Sequence, residues 1–344
     1  MEIKELIREN IKSLHPYSSA RDEFKEISSA FIFMDANENP FESGLNRYPD
    51  PQQNLVKEAL SKIKGVSKEQ ILLGNGSDEV LDLIFRVFCE PKEDQVIVLP
   101  PTYGMYEVLA KMNDIKLITI PLLDNFQPNI KEVVKVQNTN TKVLFLCSPN
   151  NPTANSFDAN TIETLLKEFS GIVVVDEAYI DFSDEDSWLA RLDEFPNLIV
   201  TQTLSKAYGL AGIRLGICYA SQEIISILNK IKPPYNVNQL TQDVALKALL
   251  NRDEVNNQIK AITSERNQLI KDLKKLDIVD KVYASDANFL LVKVDDANLR
   301  YEQLLNNGIV VRNRSNQMLC ENCLRFTIGT KDENKKLITT LKSI

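Results

Sequence analysis

Hydrophobic positions along this chain follow two patterns. From about residue 52 to residue 235, unbroken apolar runs alternate with stretches in which apolar residues return every three or four positions. The runs at 95–99, 115–120, 142–147, 172–175, 198–201 and 215–219 predict strands. They are continuous rather than alternating, which predicts strands buried on both faces of a sheet. Between them, helical spacing predicts helices at 78–90, 129–136, 158–169 and 222–230; the first carries Val80, Leu81, Ile84, Val87 and Phe88 on one face. Strand and helix in alternation predict an α/β fold: a mostly parallel central sheet with helices on both faces.

Pro233-Pro234 interrupts this pattern. Beyond it the chain predicts helices at 239–250 and 253–276, a strand at 281–294, a helix at 297–306, strands at 309–312 and 324–328, and a terminal helix at 331–341. That order reads as a smaller α+β domain. At the other end, Ile3, Leu6, Ile7 and Ile11 predict a short amphipathic helix, stopped at Leu14-His15-Pro16-Tyr17 and followed by a polar stretch. This segment reads as an arm rather than a core element. The expected division is 1–34 for helix and arm, 35–235 for the large α/β domain and 236–344 for the small domain.

A length of 344 residues suits about two domains. The net charge of -8 argues against a nucleic-acid surface while leaving a small anionic ligand open to locally placed arginines. Five cysteines, an odd number, suit free thiols in a reducing compartment. Cys320 and Cys323 form a C-x-x-C with no second pair and no histidine nearby, so no zinc site is expected. His15 is the single histidine, which leaves no material for a histidine-dependent triad. No apolar stretch marks a signal peptide or a bilayer span, and the cytoplasm is the expected location.

The chemistry concentrates in a few motifs. In Thr203-Leu204-Ser205-Lys206-Ala207-Tyr208-Gly209-Leu210-Ala211-Gly212-Ile213-Arg214, one lysine follows a hydroxyl and precedes an arginine by eight residues. Asp176 ends the apolar run 172–175 thirty residues upstream, with Tyr179 three residues on. A lysine that forms an imine with pyridoxal phosphate needs this company: a carboxylate for the pyridine nitrogen, and a hydroxyl and guanidinium for the phosphate. Alone, Asp176 would read more readily as a helix cap; Lys206 downstream reverses that.

Gly74-Asn75-Gly76-Ser77-Asp78-Glu79 opens the 78–90 helix. It is either an ordinary glycine turn with Ser77 as N-cap or a phosphate cup completed by Ser205 and Arg214. Asn151 stands in a Pro-Asn-Asn-Pro turn after the 142–147 strand, and a rigid turn there can aim an amide at a ring oxygen. Tyr103, in Pro100-Pro101-Thr102-Tyr103, is either a stacking partner for the ring or a core aromatic. Arg312 and Arg325 are forked donors suited to a carboxylate or phosphate, or else to surface ion pairs.

With these motifs assembled, the chain resembles the fold-type-I pyridoxal-phosphate-dependent aminotransferases, and within them the histidinol-phosphate aminotransferase subfamily. The resemblance runs from Leu14-His15-Pro16-Tyr17 to Thr330 and includes Asn46-Arg47-Tyr48-Pro49 and Pro100 to Tyr106. It implies that Lys206 holds pyridoxal 5'-phosphate, that Asp176 pairs with the ring nitrogen, and that Asn151 and Tyr179 bond the phenolic oxygen. It further implies that Tyr103 stacks on the ring and that Gly76, Ser77, Asp78, Ser205 and Arg214 surround the phosphate. Tyr48 would reach that phosphate from a neighbouring subunit, which implies a homodimer with shared sites. Arg312 and Arg325 would grip the substrate's anionic end and Tyr17 would close over it. The implied substrates are histidinol phosphate and the glutamate/2-oxoglutarate pair. A threonine-phosphate decarboxylase and an aromatic amino acid aminotransferase are the nearest alternatives. One departure is Ala154, where the family carries glycine; the turn accommodates it if φ there stays below zero.

Overall fold

The computed structural model describes residues 2–17 and 32–344, so most of the expected arm lies outside the described residues. Seven strands form the main sheet: β1 (Ile71–Asn75), β2 (Gln95–Val98), β3 (Lys116–Thr119), β4 (Thr141–Cys147), β5 (Ile172–Asp176), β6 (Leu198–Thr203) and β7 (Leu215–Ala220). Their order is β1-β7-β6-β5-β4-β2-β3. Only β7 runs against its neighbours, so the other six strands point the same way. A second sheet, all antiparallel, is built from β8 (Val279–Val282), β9 (Phe289–Val294), β10 (Arg312–Asn313) and β11 (Cys323–Thr327) in the order β10-β11-β9-β8.

Helices cover both faces. They are α1 (Ile3–Leu6), α2 (Glu9–Lys12), α3 (Asn54–Lys64), α4 (Ser77–Phe88), α5 (Met105–Met112), α6 (Ile130–Val136), α7 (Ala159–Glu168), α8 (Gln222–Ile231), α9 (Gln239–Leu250), α10 (Arg252–Leu273), α11 (Ala297–Asn306) and α12 (Lys331–Ser343). The unbroken apolar runs explain the layering, because alternate residues of one strand serve opposite cores. Leu144 and Leu146 join Val173, Val175 and Val200 under α3, α7 and α9. Val143 and Phe145 join Ile172, Val174 and Ile199 under α4, α5 and α8. A third core lies between the small sheet and α10, α11 and α12.

Several expectations need correction. The N-terminal segment is not a detached arm: Ile3, Ile7 and Ile11 are buried in the core beneath α4 and α8. It forms two single turns rather than one helix, because the chain extends at Ile7 and Arg8. There the Arg8 N–H donates to the Val87 carbonyl at 3.0 Å and its guanidinium meets Glu90 at 3.1 Å. The segment 281–294 is a hairpin rather than one strand, turning at 283–288. The expected strand at 309–312 shrinks to Arg312–Asn313. Strand β1 and helices α3 and α5 had no expectation of their own.

Candidate active site

The carboxyl ends of β1, β2, β4, β5 and β6 open onto one cavity, where an open α/β sheet places its ligands. Cys147, Asp176 and Thr201 lie side by side in register across β4, β5 and β6. The cavity is lined by Ser77, Asp78, Tyr103, Asn151, Asp176, Tyr179, Ser205, Lys206 and Arg214. Residues from five loops far apart in sequence therefore converge on a single space.

Asp176 is buried at 4% exposure. Its Oδ2 accepts a hydrogen bond from Tyr106 Oη at 2.7 Å, while its Oδ1 has no hydrogen-bond partner. Burial pushes the carboxyl above its ordinary value, against the Tyr106 bond, which favours the ionised form. The Thr201 hydroxyl and the Ala178 N–H act in the same direction from nearby but lack hydrogen-bond geometry. Asp176 thus caps no helix; it is a buried carboxylate with one oxygen free at a cavity wall. A cationic N–H donor is the partner that such an oxygen lacks. Tyr106 holds this carboxylate in place and was not singled out from the sequence. Its apolar neighbours, with its ring stacked on Phe145 at 4.8 Å, mark it as core. No local signal in the sequence links it to an aspartate seventy residues on.

Lys206 is half-buried in the same cavity, with Nζ 5.7 Å from the centre of the Tyr179 ring. Burial and the Arg325 and Arg214 charges lower its pKa, outweighing the pull of Asp176. Its amine therefore sheds a proton more readily than a surface lysine's. Asn151 Nδ2 donates to Tyr179 Oη at 3.4 Å, and Asn151 Oδ1 accepts from Arg325 Nη1 at 2.5 Å. The Tyr179 ring meets Phe289 of β9 edge-on at 5.1 Å, tying the small sheet to the cavity.

The glycine cup is built by a close approach of two backbones. Gly76, with φ at 78°, is the N-cap of α4, and Ser77 is its first helical residue rather than its cap. No side chain caps this helix, so its first N–H groups are free to meet an anion. The cup rests directly on β7: a β-carbon at Gly216 would lie 2.3 Å from the Ser77 nitrogen. The Gly76 N–H donates to the Arg214 carbonyl at 2.7 Å, which fixes Arg214 beside the cup. Arg214 Nη2 lies 3.8 Å from Asp78 Oδ2, and Tyr103 Oη donates to Asp78 Oδ1 at 3.0 Å. The Asp78 carboxylate therefore positions Tyr103 and Arg214. Ser205 is held by Thr203, whose Oγ1 lies 3.0 Å from the Ser205 hydroxyl.

Arg312 and Arg325 face each other across β10 and β11. Arg325 reaches the cavity through Asn151, while Arg312 is exposed. Tyr17 and Tyr48 do not line this cavity. Tyr17 is 76% exposed. Tyr48 stacks on Tyr235 at 4.4 Å in a separate open groove with Leu45 and Leu240. That groove is broad but gathers no comparable set of reactive groups. Ala154 departs from its expectation: its φ is +69°, in the left-handed region, and it is fully buried. The turn demands this, because the Ala154 N–H closes onto the Asn150 carbonyl at 2.7 Å while the Asn150 N–H bonds the Asn155 carbonyl at 2.8 Å.

The donor set fits pyridoxal phosphate. Asp176 Oδ1 would meet the ring N–H, Asn151 and Tyr179 the phenolic oxygen, and the α4 N-terminus with Ser205 and Arg214 the phosphate. Among the described residues no cluster of histidine, cysteine and carboxylate side chains is placed to hold a metal ion.

The family described as aminotransferase class I and II matches residues 25–341. The chain is 62% identical over 342 residues to a histidinol-phosphate aminotransferase of Christiangramia forsetii, covering 99% of this chain and 98% of that one. Among solved structures it is similar to the histidinol-phosphate aminotransferase from Clostridium acetobutylicum, with a TM-score of 0.80 at 23% identity over 87% of this chain and 91% of that one. It is also similar to the Sinorhizobium meliloti histidinol-phosphate aminotransferase in complex with pyridoxal-5'-phosphate, with a TM-score of 0.78 at 23% identity over 86% of this chain and 82% of that one. At those identities the two structures speak to the fold alone.

Proposed function

We propose a reaction from one premise: this chain belongs to the class I and II aminotransferases. The reaction moves the amino group of histidinol phosphate to 2-oxoglutarate, giving imidazole-acetol phosphate and glutamate. The substrate follows from the near-full-length likeness to a histidinol-phosphate aminotransferase. The observation that carries the chemistry is the free Oδ1 of buried Asp176 in one cavity with a half-buried lysine of lowered pKa.

Pyridoxal phosphate, when bound, supplies a carbonyl that takes up the amino group and a ring that accepts electrons. The protein's side chains do the rest. Asp176 holds the proton on the ring nitrogen. Lys206, its amine eased toward neutrality, takes and returns the proton at the substrate's α-carbon. Asn151 and Tyr179 orient the phenolic oxygen, and Tyr103, anchored by Asp78, covers the ring face. Gly76, Ser77, Ser205 and Arg214 hold the phosphate. Arg312 and Arg325 bind the substrate's anionic end, with Tyr17 closing over it.

The working form is a homodimer in the cytoplasm. Tyr48 lies outside its own subunit's cavity, and Leu45 and Leu240 leave apolar surface exposed in its groove, which supports a second copy there. All five cysteines are free and buried, which suits a reducing compartment.

Product analysis tests the reaction. The enzyme should convert histidinol phosphate and 2-oxoglutarate to equal amounts of imidazole-acetol phosphate and glutamate, and Lys206→Ala should lose at least about a thousandfold in kcat. Carbon dioxide release from threonine phosphate, without amino transfer, would replace this reading with a decarboxylase.

A further inference from the structure

Arg312 and Arg325 have a third companion. The pairing of Arg312 with Arg325 continues past the end of β10, where the Arg314 N–H donates to the Cys323 carbonyl at 2.9 Å. Residues two apart on a strand share a face, so Arg312, Arg314 and Arg325 lie on one face of the small sheet. Arg325 on that face reaches Asn151, at the cavity wall. Arg314 is half-buried and its Nε is fully buried without a hydrogen-bond partner. The loop that follows it carries Gln317 and Met318 into a cleft lined also by Tyr103 and Gly104. Arg314 is close enough to Arg312, Arg325 and Tyr179 for their charges and dipoles to act on one another.

Among the described residues no carboxylate forms an ion pair with any of the three arginines. Burial together with their mutual repulsion depresses Arg314 and Arg325, the latter to about 10. The other groups facing Arg314 are Arg312, Cys320 and Tyr179, none of which carries a negative charge at neutral pH. Three like charges gathered without a counter-ion call for an anion. Two guanidiniums are enough to saturate the two oxygens and single charge of a carboxylate. A phosphate monoester carries about -1.5 to -2 at pH 7 and three acceptor oxygens, which gives a third guanidinium something to bind.

We propose that Arg314 is a third arginine of the donor's anionic subsite and sets its preference for a phosphate monoester over a carboxylate. This rests on the reaction assigned above. Histidinol phosphate engages all three guanidiniums, whereas glutamate engages Arg312 and Arg325 and leaves Arg314 idle. Arg314 is thus a specificity residue, outside the proton-transfer chemistry.

The test compares both donors in the holoenzyme, with Arg314→Gln and Arg314→Lys as variants. Arg314→Gln should raise KM for histidinol phosphate about tenfold or more and KM for glutamate less than about threefold. Arg314→Lys should recover part of the loss for histidinol phosphate. An unchanged KM for histidinol phosphate, or an equal rise for both donors, overturns the role of Arg314. Failure of the underlying reading looks different: the unmodified enzyme would not turn over histidinol phosphate.

Discussion

The Tyr106 hydroxyl stands 2.7 Å from Asp176 Oδ2 and leaves the buried Oδ1 of the same carboxylate without a hydrogen-bond partner. One oxygen is thereby used to orient the group, and under the proposed reaction the other would meet the cofactor's ring nitrogen. Tyr106→Phe keeps the ring stacked on Phe145 and removes only this bond. A hydrogen bond to a charged group is worth about 1.5–3 kcal/mol, so the variant should bind pyridoxal phosphate roughly 10- to 100-fold more weakly. Equilibrium dialysis of the cofactor checks this, and affinity within twofold of the parent would contradict it.

The same pair predicts a pH dependence. The buried carboxyl of Asp176 sits above its ordinary 3.8, so the native state holds a proton there over a range in which the unfolded chain has released it. Stability of the cofactor-free protein should therefore fall as pH rises from the unfolded value to the folded one. Tyr106→Phe removes a bond that favours ionisation and should extend that fall to higher pH. Thermal unfolding between about pH 4 and 8 measures it; identical pH profiles for the two proteins would count against the assignment.

Gly216 supports the cup from below. A β-carbon there would lie 2.3 Å from both the Gly76 carbonyl carbon and the Ser77 nitrogen, which are backbone atoms with little room to yield. Gly216→Ala should lift the cup from β7, cost about 1–3 kcal/mol of stability as overpacking does, and weaken the cofactor's phosphate contacts. Denaturant titration and cofactor affinity should move together. A variant that loses stability yet binds the cofactor normally would separate the cup from the phosphate.

Lys57, far from the cavity on α3, is 5% exposed, and burial with nearby Lys232 brings it down to about 8 from the usual 10.5. Over that window the unfolded chain holds more protons than the folded one, so stability rises with pH between about 8 and 10.5. The difference corresponds to about 3 kcal/mol lost at neutral pH. Lys57→Met should return up to that amount at pH 7, with the gain shrinking toward pH 10.5. A gain independent of pH would contradict this account.

Much of the fold was legible because buried parallel strands leave unbroken apolar runs, as in Ile172-Val173-Val174-Val175. Strand β1 escaped because Ile71-Leu72-Leu73 is short and runs into Gly74 and Asn75; its pairing with β7 depends on Gly216, far along the chain. The 283–288 turn carries Ser285, Asp286 and Asn288, residues that favour turns, yet the apolar residues on either side masked it. The N-terminal isoleucines at 3, 7 and 11 marked a buried stripe, but a stripe reveals neither what it packs against nor the extended break at Ile7 and Arg8. Around the cavity, the motifs singled out Lys206, Asp176, Asn151, Ser205 and Arg214, all of which line it. Tyr106 and Arg314 act through contacts made across the fold, so neither spacing nor neighbours distinguished them.

The most direct test of the central claim is the absorbance of the holoenzyme as histidinol phosphate is added without any oxo acid. The pyridoxal band should disappear as the pyridoxamine band grows, and adding 2-oxoglutarate should restore the first band with release of glutamate. A pyridoxal band that does not respond to histidinol phosphate, in an enzyme that still responds to another amine donor, would contradict the assigned substrate.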